Sequence, residues 1–427
     1  MKRMSKALPC LLLVALASSL LFVHGGRALG ADSIKLGFVG ALSTPFGASN
    51  KAVLEISVEE LNQAGGILGK PVELVVSDWK RQVPLAVAAY KKLVMTDKCL
   101  AVFTEGTEGS TACSQVAARL FRDYPHLQFA FWTAHEGLTD VVAEEYDKYK
   151  FLFRPYASTG DTYDPNLGAW TMFTEMIGTK KLALVIEDIG WTVPYTKGLK
   201  GRHPDLKTFF ESKGIDVVYF AKSAIDEKMF LPILEKCAQT GADTLYWITG
   251  YTDTVTLVKQ WAQSAAKDLD LVTMSGAVSY AAFYKMTGGA ALGVVSQWPE
   301  VKIPFTEKSL PFFEKLKAKK AGMLASTYGA YDGPWMIKAA VERAGDPQNI
   351  DAVIQALEEH DAQRGFWKWK FDKRHEPVKG YPYHPLIHAQ FQGPDKYVVV
   401  HSEDIRKLAN PNDHFIRVKE LRKQLGQ

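Results

Sequence analysis

The chain has 427 residues, 47% hydrophobic and 23% charged, with 51 basic residues against 47 acidic ones. The four-charge excess falls at Lys2, Arg3, Lys6 and Arg27, so the remainder is neutral and calls for neither nucleic acid nor an anionic membrane as partner. Four cysteines are too few for a disulfide scaffold and too widely spaced for a zinc site.

Those four cations flank an apolar run from Leu8 to Val23, followed by small residues, which is the pattern of a secretory signal peptide. The run is shorter than the ~20 residues a membrane-spanning helix needs. Ala28-Leu29-Gly30 fits a cleavage site, so residues 1–30 are expected to be removed, leaving a periplasmic protein. Cys10 lacks the context of a lipoprotein anchor. Cys99, Cys113 and Cys237 remain, an odd number that leaves at least one free thiol, and they are expected to be buried as small apolar side chains.

The remaining ~397 residues exceed what one hydrophobic core usually serves, so two domains are expected. From Ile34 onward short β-branched runs alternate with helical periods, the signature of parallel α/β layers. Strands are expected over Ile34 to Leu42, Val72 to Ser77, Leu100 to Thr104 and Leu127 to Thr133. Helices are expected between them over Ser49 to Gln63, Pro84 to Met95 and Ser110 to Asp123. Gly65-Gly66 ends the first helix by supplying the left-handed conformation other residues resist. Phe151 to Tyr156 follows, an extended join in which Pro155 disfavours helix at Arg154. A second set of units has strands at Leu182 to Glu187, Val217 to Ala221, Thr244 to Thr249 and Leu271 to Ser275. Helical period then returns over Pro311 to Lys320, Tyr331 to Ala344 and Ile350 to Glu359. An aromatic tail from Phe366 to Val400 reads as strands with turns at Asp372-Lys373 and Gly393-Pro394-Asp395.

Ile34-Lys-Leu-Gly-Phe-Val-Gly40-Ala-Leu-Ser43 and Glu59-Glu-Leu-Asn-Gln-Ala-Gly-Gly66-Ile-Leu-Gly-Lys-Pro-Val-Glu-Leu-Val-Val resemble the opening of the leucine/isoleucine/valine-binding proteins, the type I periplasmic receptors of ABC importers. Further matches are Tyr195 to Leu199, Gly250-Tyr251, Gly289 to Val295 and Tyr328-Gly-Ala-Tyr331-Asp332, in order along some 300 residues. The resemblance implies an α/β fold of two doubly wound parallel-sheet lobes joined by three hinge crossings, near Arg154, Trp298 and Gly365. Lobe one would comprise residues 31–154 with 298–365, and lobe two residues 155–297 with 366–427. It further implies a monomer that closes on a small-molecule ligand, a branched-chain or other hydrophobic amino acid, and hands it to a membrane permease.

Ligands of open α/β sheets bind beyond the carboxyl ends of the strands, so the loops there supply the candidates. Ser43 and Phe46 follow the first strand, with Phe46 at a family position that offers a ring. Thr107 and Ser110 lie in a Gly/Ser/Thr-rich turn entering a helix, whose free N–H groups and hydroxyls suit a carboxylate; the same composition also serves simple helix capping. Trp132, Thr133 and Ala134 follow the fourth strand, and Thr133 is the leading single contact. In lobe two the candidates are Trp191, Tyr195, Tyr251, Asp253 and Ala277. Amino-acid binders of the family carry an acid where this chain has Gly276-Ala277-Val278, so either Asp253, Asp188, Glu136 or Glu108 holds an ammonium group, or the ligand is an aromatic or aliphatic carboxylate or an amide. The family's lobe-one disulfide also lacks a partner here, because Asp78-Trp79-Lys80-Arg81 holds no cysteine for Cys113.

Nothing points to an enzyme, a cofactor or a metal. Gly109-Ser110-Thr111 does not form a nucleophile turn. Gly66-Ile-Leu-Gly69-Lys70 has the wrong spacing for a phosphate loop, and no histidine follows four residues after His135. A periplasmic sensing module is the alternative of a different class.

Overall fold

The computed structural model describes residues 33–297, 300–322 and 326–426. The expected signal peptide and Trp298, at the expected second crossing, lie outside them. Strands β1 (Ile34–Gly40), β2 (Val72–Asp78), β3 (Ala101–Glu105), β4 (Leu127–Phe131) and β5 (Leu152–Phe153) form one parallel sheet in the order β2-β1-β3-β4-β5. Every residue of β3 and β4 is buried, which follows from helices covering both faces and explains why apolar residues do not alternate with polar ones along them.

The second sheet contains β6 (Lys181–Glu187), β7 (Asp216–Ser223), β8 (Thr244–Ile248), β9 (Asp270–Met274) and β10 (Val295–Gln297), parallel in the order β10-β9-β8-β6-β7. A short antiparallel pair, β11 (Ala362–Gln363) with β12 (Lys368–Trp369), stands apart. The hairpin of β13 (His388–Gly393) and β14 (Lys396–His401) adds antiparallel to β10 and completes seven strands. The two-sheet α/β architecture expected from the sequence is present, with this hairpin as its non-parallel edge.

Helix α1 (Pro45–Gln63) begins four residues earlier than its periodicity predicts. Thr44 caps it by accepting from the Gly47 amide at 3.1 Å, and Pro45 occupies the first turn, where a missing N–H costs nothing. Phe46 therefore lies in a helical turn and not in a loop. At the other end Gly65 (φ 92°) and Gly66 (φ 71°) take the expected left-handed conformation. Helices α2 (Val83–Met95) and α3 (Thr107–Leu120) complete the first half, and α3 too starts ahead of its expected Ser110.

The aromatic tail departs most from expectation. Phe366, Trp367, Trp369 and Phe371 join the core built on the first sheet, not the second. The helix Thr327–Ala344 draws them in: its buried Asp332 accepts from the Gly365 amide at 2.7 Å and from the Trp369 indole N–H at 2.7 Å, while Tyr328 packs 4.2 Å from Trp367. The chain enters the second sheet only at His388, so the expected third crossing at Gly365 falls some twenty residues too early. Between these points Glu376 meets the buried guanidinium of Arg154 at 2.6 Å, pinning the tail to the first join. The three described cysteines are free and buried, and burial pushes each thiol up to about 12.

Candidate functional site

A cavity of about 70 Å³ lies where the carboxyl ends of the two sheets face each other, lined by Thr107, Trp132, Ala134, Tyr156, Trp191, Thr249, Gly250, Tyr251, Met274 and Gly276. Its size restricts the occupant to a small molecule.

One wall follows β3 and β4. Trp132 sits at φ +53°, a conformation that costs a non-glycine residue about 1 kcal/mol or more and that turns its indole toward the cleft. Phe46 stacks on it at 4.5 Å and 24° and meets Tyr251 edge-on at 6.3 Å. Beside these rings α3 starts at Gly106, which has no side chain with which to cap the helix. Thr107, the first residue of α3, lines the cavity, and the start of a helix carries a partial positive charge that favours an anion.

The opposite wall is a loop organised by one carboxylate. Glu187, fully buried at the end of β6, accepts from the amides of Gly250 (2.9 Å), Tyr251 (3.0 Å) and Thr252 (2.7 Å) and from the hydroxyls of Thr249 (3.0 Å) and Thr252 (2.7 Å). The floor consists of glycines that let rings approach: a Cβ on Gly276 would lie 2.4 Å from Phe46, and one on Gly250 3.1 Å from the Trp191 indole nitrogen. Among the described residues no carboxylate, ammonium or guanidinium lines the cavity.

Of the candidates, Thr107, Trp132, Ala134, Trp191 and Tyr251 line this space, and Phe46 supports it from behind. The others have different tasks. Ser43 is exposed and lies outside the lining. Thr133 is fully buried and spends its hydroxyl on Ser110 (3.0 Å) and the Phe131 carbonyl (3.1 Å), so neither hydroxyl is presented to a ligand. Tyr195 is a core residue whose hydroxyl bonds Thr162 at 3.0 Å. Asp253 caps the helix Thr254–Gln263 and pairs with Lys228 at 3.6 Å. Ala277 packs against the second core.

Two of the alternative acids are committed as well, Asp188 to Lys222 at 2.9 Å and Glu136 to His203. Glu108 is exposed on the first turn of α3, its Oε1 3.5 Å from where a Cβ on Gly190 would stand, and is not among the lining residues. Thr249, Gly250 and Gly276, which belong to segments expected at the ligand, also line the cavity, whereas Tyr156 and Met274 were not among the expected contacts. Tyr156 could have been found, because it directly follows the Arg154-Pro155 join and so must lie near the meeting of the sheets.

Two sheet-centred halves that enclose a small ring-lined cavity at their carboxyl ends define a bilobal solute receptor. Residues 33–391 match the family model described as periplasmic binding protein, and the chain belongs to that family. A curated relative, the leucine-, isoleucine-, valine-, threonine-, and alanine-binding protein of Pseudomonas aeruginosa, is 23% identical over 336 residues, covering 77% of this chain and 84% of that protein. The fold is similar to a branched-chain amino acid transporter substrate-binding protein of Streptococcus pneumoniae in complex with isoleucine, with a TM-score of 0.69, 20% identity, and coverage of 86% and 99% of the two chains. It is also similar to a solute-binding protein of an ABC transporter from Rhodopseudomonas palustris in complex with p-hydroxybenzoic acid, with a TM-score of 0.68, 18% identity, and coverage of 86% and 95%. Among the described residues no helix is long and apolar enough to cross a membrane, and no cluster of three or more His, Cys, Asp or Glu side chains is arranged to hold a metal.

Proposed function

We propose that this receptor binds a small carboxylate without an ammonium group, an aromatic or branched aliphatic acid, in the periplasm and as a monomer, and delivers it to an ABC permease. The absence of any carboxylate among the described residues of the cavity lining carries the reading. An ammonium group enclosed there without an anionic partner would forfeit several kcal/mol of solvation. A carboxylate would meet the start of α3, and its apolar body the rings of Trp132, Tyr156, Trp191 and Tyr251. Crossings near Arg154 and just before His388 would serve as hinges, so that the two halves shut on the ligand.

Thermal-shift titration with five compounds tests the proposal: benzoate, 4-hydroxybenzoate, 4-methylpentanoate, leucine and isoleucine. Leucine and 4-methylpentanoate share a branched body, carboxylate and chain length and differ in the ammonium group. Stabilisation by one or more of the three acids and not by the two amino acids is expected, with the melting temperature rising as ligand exceeds Kd. Stabilisation by leucine or isoleucine alone would replace this reading with that of an amino-acid receptor, the one suggested by the Pseudomonas relative's name.

A further inference from the structure

The turn between β2 and α2 carries a feature that the cavity does not account for. Trp79 is buried, and its ring lies against the start of α3: a Cβ on Gly106 would stand 3.1 Å from it and one on Gly109 3.3 Å. The next two residues, Lys80 (φ 50°) and Arg81 (φ 57°), are both left-handed without being glycine. Two such residues in succession are sterically costly and persist where their surroundings fix them. Here the fixing contacts are Lys80 N–H to the Asp78 carboxylate at 2.9 Å, Gln82 N–H to the Trp79 carbonyl at 2.8 Å, and the Trp79 ring on α3. The outcome is an exposed arginine held over the other half of the molecule, its guanidinium carbon 4.3 Å from the centre of the Tyr251 ring. Arg81 follows the edge strand of the first sheet and Tyr251 follows β8 of the second, so this contact spans the cleft beside the cavity.

We propose that Arg81 is a positioning residue for ligand retention: through the Tyr251 ring it holds the two halves shut, and the Trp79 anchor transmits the state of the α3 turn to that contact. It has no contact of its own with the cavity and acts by favouring the closed form. A cation over a ring at an exposed site shifts an equilibrium about 2- to 5-fold. The effect on ligand affinity rests on the reading of the cavity as the ligand site, whereas the effect on closure does not.

Single-molecule FRET between dyes on the two halves, in the mature full-length chain, measures the closed-to-open ratio directly. Arg81→Met, which keeps an apolar stem, is expected to lower that ratio about 2- to 5-fold. Arg81→Lys should restore most of it by returning a cation. In a Tyr251→Leu background Arg81→Met should have no further effect, because the ring it acts through is gone. An unchanged ratio in Arg81→Met, independent multiplication of the two effects, or no detectable closed population in the ligand-free protein would overturn the proposal. With benzoate as probe, the dissociation rate of Arg81→Met should rise by the same factor while association holds. If benzoate fails to bind the parent protein, 4-hydroxybenzoate or 4-methylpentanoate takes its place as probe; failure of all three means that the ligand class is wrong, and the ligand-free ratio still decides the role of Arg81.

Discussion

Phe46 lies face to face with Trp132, ring centres 4.5 Å apart, and Gly276 sits so close beneath that a Cβ on it would fall 2.4 Å from the Phe46 ring. The two rings thus occupy the space that a side chain at position 276 would need. The stacked aromatic surface makes this part of the cavity floor apolar.

Gly276→Ala should therefore displace the stack. Its backbone is in the ordinary right-handed region, so strain arises from the ring contact and not from the residue's own conformation. Overpacking of this kind costs about 1–3 kcal/mol, and binding of the cognate acid should fall at least about 10-fold, the factor that corresponds to 1.4 kcal/mol. Adding Phe46→Leu should recover stability lost in Gly276→Ala. Urea unfolding and calorimetric titration check both; equal stability of the parent and Gly276→Ala would show that the stack yields freely.

Glu187→Gln tests the organising carboxylate of the opposite wall. Its oxygens receive only donors, and an amide NH2 in place of one oxygen would face them with donors of its own. Leaving buried donors unsatisfied costs about 1–3 kcal/mol each. Faster hydrogen exchange at the amides of Gly250, Tyr251 and Thr252 is expected, together with weaker ligand binding. Unaltered exchange there would mean that the loop is held by other contacts.

Thr133→Ala separates a structural hydroxyl from a ligand contact. Because that hydroxyl is committed to Ser110 and the Phe131 carbonyl, its removal should lower stability by about 1 kcal/mol and leave affinity within about two-fold. A loss of affinity exceeding 10-fold, without matching destabilisation, would return Thr133 to the site.

These hydroxyls show where the sequence stopped being legible. The strands were readable to within one or two residues, since β-branched runs closed by Gly, Ser or Thr leave little choice. Trp132, Trp191 and Tyr251 were readable too, because rings placed just after strand ends have few places to go. Ser110 and Thr133 were misread because nothing local tells a hydroxyl aimed at a ligand from one aimed at another hydroxyl 23 residues away. Helix α1 was begun late because its first turn is fixed by Thr44 and Pro45 and not by apolar period. The first part of the tail, Phe366 to Phe371, belongs to the other half for a related reason. Phe366, Trp367 and Trp369 would suit either core, and Asp332, more than thirty residues earlier, decides between them.

Acid should destabilise the protein through its buried imidazoles. Burial holds His126, His360 and His401 down to about 4 and His384 to about 3, against 6.5 in an open chain. Below 6.5 the unfolded chain takes up protons that the folded one refuses, so their contribution is complete above 6.5 and is lost as pH falls toward 4. Glu105 and Asp332 work in the opposite sense. Burial raises both to about 7, so over the window from about 4.5 to 7 the folded state holds the extra proton and gains as pH drops. Burial holds His135 and His388 down as well and raises Asp270 and Asp413; the depressed imidazoles outnumber the raised carboxyls, and the melting temperature should be lower at pH 5 than at pH 7. Asp332→Asn, which removes one of the opposing groups, should steepen the fall between those pH values whatever it does to stability at pH 7. A melting temperature at pH 5 equal to or above that at pH 7 would mean that the imidazoles are reached by solvent and titrate near their open-chain value.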